Sequence, residues 1–122
     1  DKKCLFTFEA AALTHDIGIH FCEEKYGNCN GKLQEQEGPA IAERLLKKLG
    51  FDQEVSDRVQ YLIAHHHTYN NINEIDYQIL VEADFLVNIM EDGLTKEAAL
   101  KAYHSIFKTA CGKMICREMF DI

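Results

Sequence analysis

Four places in the sequence carry residues whose types and spacing could do chemistry. The first is the stretch Ala10 to Ile19, AAALTHDIGI, an apolar helix end that closes on the doublet His15-Asp16 with Gly18 two residues later. Burying an ionisable doublet costs free energy unless something compensates it. A metal ion is an economical compensator, because imidazole and carboxylate are both first-row metal ligands. Taken alone, the doublet fits a surface helix end equally well. The second place is Asp84, inside the apolar run ILVEADFLV of residues 79–87. It stands one turn from Leu80 and one from Val87, and so is expected on the face those residues bury. A carboxylate there must raise its pKa or find a partner, either a structural hydrogen bond or a metal. The third is His65-His66-His67. Successive helical residues point about 100° apart, so at most two of the three face one site unless the turn is broken. His65 and His66 are the expected pair, with His67 outside. A histidine-rich helix end that favours the dipole is the plainer reading. The fourth is Glu37, just before Gly38-Pro39, where a helix dipole alone would account for a carboxylate.

The elements that hold these residues read as helices throughout. Phe8, Ala11, Ala12 and His15 fall at helical spacing over residues 6–14. A glycine- and asparagine-rich connection follows, with room for a helical turn at 21–26. Pro39 suits the first turn of a second helix, with Ile41, Leu45, Leu46 and Leu49 as its apolar stripe and Gly50 at its C-terminal cap. Asp52 can cap a third helix, whose stripe Val55, Val59, Leu62 and Ile63 leads to His66 on the buried side. A fourth helix runs over about 75–90 with Ile79, Leu80, Ala83, Leu86, Val87 and Met90 inside, and Asp92-Gly93 ends it. Thr95 can cap a fifth that buries Ala98, Ala99, Ala102, Ile106 and Phe107. Gly112 then separates a short last helix, Met114 to Phe120. No strand pattern, repeat or low-complexity segment occurs. The expected fold is all-α, a compact single-domain bundle over residues 1–122.

Composition narrows the function classes. A chain of 122 residues suffices for one core, and 47% hydrophobic with 27% charged residues is ordinary for a globular protein. No apolar run is long enough to span a bilayer, and there is no signal-peptide pattern. The chain opens at Asp1 without a methionine, close to an apolar helix, which points to further residues upstream. Five cysteines, an odd number with no Cys-x-x-Cys pair, argue against a zinc ribbon or a disulfide framework. Reduced thiols and a cytoplasmic setting are expected. The net charge of −7 disfavours binding to nucleic-acid duplex. Residues 96–118 are locally basic, with five basic against two acidic side chains, as a solvated helix face would be.

Together, His15-Asp16, the histidine run at 65–67 and Asp84 resemble, in order and helical setting, the HD-domain superfamily of metal-dependent phosphohydrolases. Ala-Leu-Thr-His-Asp-Ile-Gly is similar to that family's signature helix end, Ile-Ala-His-His-His to its second histidine motif, and Glu-Ala-Asp-Phe-Leu to its final aspartate motif. The resemblance runs from Ala10 to about Asn88. It implies a fold of the HD type and a site built around one or two divalent ions, drawn from Fe, Mn, Zn, Co and Mg. By resemblance His15, Asp16 and Asp84 are metal ligands, and His65 and His66 match the histidines that two-metal members add. Glu37 stands roughly where another such histidine is found, a departure that implies either a carboxylate ligand in its place or a single-metal site. The chain departs from the family at Ile19, where many members have lysine. The family's first histidine belongs to a helix that would precede Asp1.

The resemblance implies hydrolysis of a phosphoester, in a nucleotide or similar small metabolite, by a water that the metal activates. Asp16, Asp84 and His66 are the residues expected to serve the chemistry: bridging, orienting the water, and donating a proton to the leaving group. Self-association is compatible with this reading. The alternative is an inactive HD-like domain that binds metal or nucleotide and regulates another protein. A third reading is an all-α interaction module with incidental histidines.

Overall fold

The computed structural model describes residues 2–93 and 95–122. Among the described residues there are seven α-helices and no strand. They are α1 (Lys2–Thr14), α2 (Ile19–Tyr26), α3 (Gly31–Lys48), α4 (Gln53–His65), α5 (Ile75–Asp92), α6 (Lys96–Ser105) and α7 (Ala110–Phe120). No described helix is long and apolar enough to cross a membrane. No disulfide joins any of the five cysteines. The helices gather in two compact units, one ending at Thr68 and the other starting at Tyr69.

In the first unit α3 and α1 pack on α4, and α2 packs on α3. Val55, Val59, Leu62 and Ile63 of α4 are buried, as their spacing predicts. Helix α3 differs from expectation in a way that matters for the site. It begins at Gly31, capped by the Asn30 side chain, which accepts from the Leu33 N–H. Pro39 therefore lies inside the helix rather than in its first turn. The buried stripe is Gln34, Gly38, Ala42 and Leu46, at intervals of four, whereas Leu45 and Leu49 are exposed. Small residues in this stripe let α3 approach its neighbours closely. A Cβ on Gly38 would lie 2.7 Å from Cγ2 of Ile63 on α4, and one on Gly18 would lie 3.2 Å from the Gly38 backbone. Gly50 ends α3 in a left-handed conformation, with its N–H bonded to Lys47 O and that of Phe51 to Leu46 O.

In the second unit α7 packs on both α5 and α6. Its core joins Leu86, Phe107 and Cys116 in one cluster and Ile89, Ala99 and Ala102 in another. Helix α5 is rotated from the expected orientation. Tyr77, Leu80, Val81, Leu86 and Ile89 are buried, while Ile79, Val87 and Met90 are exposed. Asp84 does share the buried side with Leu80, but not with Val87. The rotation takes Glu82 inside, where its carboxylate has donors. Oε2 accepts from Gln78 Nε2 at 2.6 Å and from the N–H groups of Lys108 and Thr109 at 2.9 and 3.0 Å. Oε1 accepts from the Thr109 hydroxyl at 2.6 Å. Thr109 is in turn the cap of α7, accepting from the Gly112 N–H. Gly112 thus belongs to α7 and does not separate it from what precedes. Its role is clearance, because a Cβ there would overlap the Glu82 carboxylate. Gly112→Ala is expected to destabilise the protein by about 2–4 kcal/mol, through displacement of a buried hydrogen-bonded charge. Urea denaturation followed by circular dichroism measures this, and a loss below about 0.5 kcal/mol would refute the account.

Candidate metal centre

The doublet leaves α1 in a tight turn. Thr14 O accepts from the Ile17 N–H and Asp16 O from the Ile19 N–H, each at 3.0 Å, and Gly18 then seats α2 against α3. In the same unit, α4 stops at His65. His66 and His67 therefore lie beyond the last helical residue, and the broken turn lets both rings face α3.

The tautomers follow from the backbone. Nδ1 of His15 lies 2.8 Å from Ala12 O, and Nδ1 of His66 lies 2.6 Å from Ile63 O. A carbonyl only accepts, so each Nδ1 bears a proton and a neutral ring keeps its lone pair on Nε2. This is the way a metal-ligating histidine is oriented by its second nitrogen. Nε2 of His15 is 3.3 Å from Asp16 Oδ2, and Nε2 of His66 is 3.8 Å from Asp16 Oδ1. Nε2 of His66 and of His67 stand 3.3 and 3.2 Å from Gln34 Oε1. The Gln34 amide has its orientation set by Nε2, which donates to Cys29 O at 2.6 Å. His66 is fully buried, with the His67 ring 4.0 Å away and the His15 ring edge-on at 5.4 Å.

The Nε2 atoms of His15 and His66, the Asp16 oxygens and Gln34 Oε1 are acceptors unless those two rings take a second proton, while a neutral His67 can donate to Gln34 through Nε2. The arrangement therefore favours a cation, either protons on the imidazoles or a metal ion among them. Asp16, His66 and His67 each offer a ligand atom within 4.8 Å of the others. Two nitrogens and a carboxylate oxygen are a donor set that suits Zn, Mn, Fe or Co. The carboxyl of Asp16 is held below the usual carboxylate range by its hydrogen bond from His15, then by positive charge on His15, His66 and His67, against an opposing effect of burial. It is thus an anion at neutral pH. Its depressed pKa contributes stability above the unfolded carboxylate pKa, which is lost as pH falls through the folded value.

The expected residues divide as follows. His15, Asp16 and His66 come together. His67, expected outside, is in the group, and His65, expected inside, is turned back along α4, with Nδ1 2.7 Å from Tyr61 O and its ring stacked on Tyr61 at 4.1 Å. Glu37 is not among the donors gathered with Asp16. It lies midway along α3, where Tyr26 Oη donates to it at 2.5 Å and Lys25 Nζ approaches to 3.5 Å. The Tyr26 hydrogen bond, then Lys25, lowers its pKa, in place of the helix-terminal dipole expected from sequence. Asp84 belongs to the second unit, on the buried side of α5, where Oδ2 accepts from Asn88 Nδ2 at 3.2 Å.

Two further residues shape the group. Besides Gln34, Glu35 holds the end of α4, accepting from the His67 N–H at 3.0 Å and the Thr68 hydroxyl at 2.8 Å. Both top the buried stripe of α3, and the interval from Gln34 to Gly38 is a helical signal once α3 is extended back to Gly31. Comparisons with protein-family models, with curated proteins and with solved structures find no match for the chain.

Two measurements probe these placements. His66→Ala is expected to lower bound metal about tenfold or more, His67→Ala to lower it as well, and His65→Ala to leave it within about twofold. Metal analysis of the dialysed proteins checks this, and a loss in His65→Ala equal to that in His66→Ala would contradict it. For Asp84, denaturation of wild type and Asp84→Asn is compared in chelator and in excess manganese. A metal ligand predicts a loss of stability only with manganese. A purely structural acid predicts the same loss, about 1–3 kcal/mol, in both.

Proposed function

We propose that the chain is a metal-dependent phosphohydrolase acting on a phosphoester of a nucleotide or similar small metabolite. The observation that supports it is the convergence of Asp16, His66 and His67, with His15 against Asp16, in a chain whose three motifs resemble those of HD-domain enzymes. A bound divalent ion supplies a water acidified toward neutral pH and positive charge for the phosphate oxygens. The chain's own groups prepare the place. Asp16 is ionised and carries two oxygens, so it suits a bridging role. Ala12 O and Ile63 O hold the His15 and His66 rings with Nε2 toward Asp16. Burial of His66 keeps water from its ring and strengthens electrostatic interactions around it. With the positive charge concentrated at the ion, a protein of net charge −7 can still take an anionic substrate.

The experiment is turnover of a generic aryl phosphoester by protein stripped with chelator and then loaded with Mn²⁺, Co²⁺ or Zn²⁺. The stripped protein is expected to be inactive, the loaded protein active, and loaded Asp16→Asn reduced at least about 100-fold. Metal affinity is expected to fall as pH falls, because protons compete with the ion for the ligand atoms. Stoichiometric metal binding without turnover of any phosphoester would overturn the hydrolase and leave the regulatory alternative.

A further inference from the structure

Gln34 was not among the residues that motif spacing singles out, yet it is buried and its amide has a defined direction. Its Nε2 donates to Cys29 O at 2.6 Å, so Oε1 is the atom that faces the histidines. That oxygen stands 3.3 Å from His66 Nε2 and 3.2 Å from His67 Nε2. Ligands held about 2.1 Å from one ion, at angles between 90° and the tetrahedral value, are about 3.0–3.4 Å apart. Both separations are those of donors that share one cation, and Asp16 Oδ1 lies somewhat beyond them at 3.8 Å from His66 Nε2. The His67 separation suits a hydrogen bond from its ring to Gln34 as well, whereas Nδ1 of His66 already faces Ile63 O at 2.6 Å. A neutral His66 has only one N–H, and the backbone carbonyl takes it.

Resting on the metal-dependent reading of the site, we infer that Gln34 is itself a ligand: its carboxamide oxygen completes, with Asp16, His66 and His67, a two-nitrogen, two-oxygen set around one divalent ion. A neutral oxygen donor leaves the set with a single negative charge. It also moves the set's preference from thiophilic ions toward ions that accept mixed N/O ligation, such as Mn²⁺ and Co²⁺. Gln34 is held by the Cys29 carbonyl before any ion arrives, so the oxygen is placed without further ordering of its side chain.

The test is Co²⁺ and Mn²⁺ binding to the whole chain, read by calorimetry and by the visible absorption of Co²⁺, for wild type, Gln34→Leu and Gln34→Glu. Gln34→Leu is expected to weaken binding about 10- to 100-fold and to shift the Co²⁺ absorption. Gln34→Glu, which keeps an oxygen in reach and adds a charge, is expected to bind about tenfold more tightly than wild type. If wild type binds neither ion, the metal-dependent reading fails and the Gln34 inference with it. If wild type binds and Gln34→Leu matches it in affinity and spectrum, the inference fails alone. A loss in Gln34→Leu that Gln34→Glu does not recover also overturns ligation, since only packing would then have been removed. Should Gln34→Leu not fold, Gln34→Glu decides: binding about tenfold tighter supports the inference, and unchanged or weaker binding overturns it.

Discussion

The close approach of α3 to α4 is the constraint on which the first unit depends. Gly38 meets Ile63 with no room for a Cβ, and Ala42 continues the same narrow stripe. Larger residues there would hold the two helices farther apart. One turn before Gly38 stands Gln34, so the same approach brings its amide to the turn after α4. The Gly18 backbone rests on Gly38 from the other side, which fixes how the chain leaves the doublet. Three segments distant in sequence thereby meet at one glycine, and the polar atoms they carry meet beside it. The donor group at Asp16 is a consequence of small-residue packing as much as of the histidines themselves.

The chain handles buried carboxylates in two physically different ways. Glu82 is surrounded by donors: two backbone N–H groups, an amide and a hydroxyl. Such a carboxylate is satisfied within the fold, and its charge serves to tie α5 to the start of α7. Asp16 is surrounded by imidazoles whose other nitrogens are committed to backbone carbonyls. His15 and His66 can meet it only by carrying an added positive charge. The first arrangement is complete within the fold, while the second gathers acceptors around an anion. That contrast, more than the presence of histidines, separates a structural acid from a candidate ligand in this protein.

Much of this was legible in the sequence, and the misreadings have common causes. The apolar spacing of α4 put His66 on the buried side, and Thr95 and Gly50 marked helix ends where the structure has them. The turn at Pro39 was misplaced because proline favours a first helical turn and nothing in local propensity says that Asn30 already caps the helix. That single error moved the inner face of α3 to Leu45 and Leu49 and hid Gln34 and Glu35. A similar error arose at Gly112, where glycine reads as a break but serves clearance for a carboxylate far away in sequence. Apolar side chains led the reading of α5 as well. Glu82 finds its donors in the segment at Lys108 and Thr109, and no pattern within α5 discloses that pairing.

The exchange of His65 for His67 has a simple physical origin. A continuous helix would carry His65, His66 and His67 in three directions. The helix instead ends at His65, and Glu35 takes the His67 N–H and the Thr68 hydroxyl that follow. This carboxylate on α3 stops the propagation of α4 and swings His67 onto the side of His66. His65, the last residue still in helical geometry, keeps its ring against Tyr61 one turn earlier. The identity of the second histidine is thus decided by the acid that terminates the helix. A triple-histidine run leaves such a choice open, and Glu35, adjacent in sequence to Gln34, closes it from another helix.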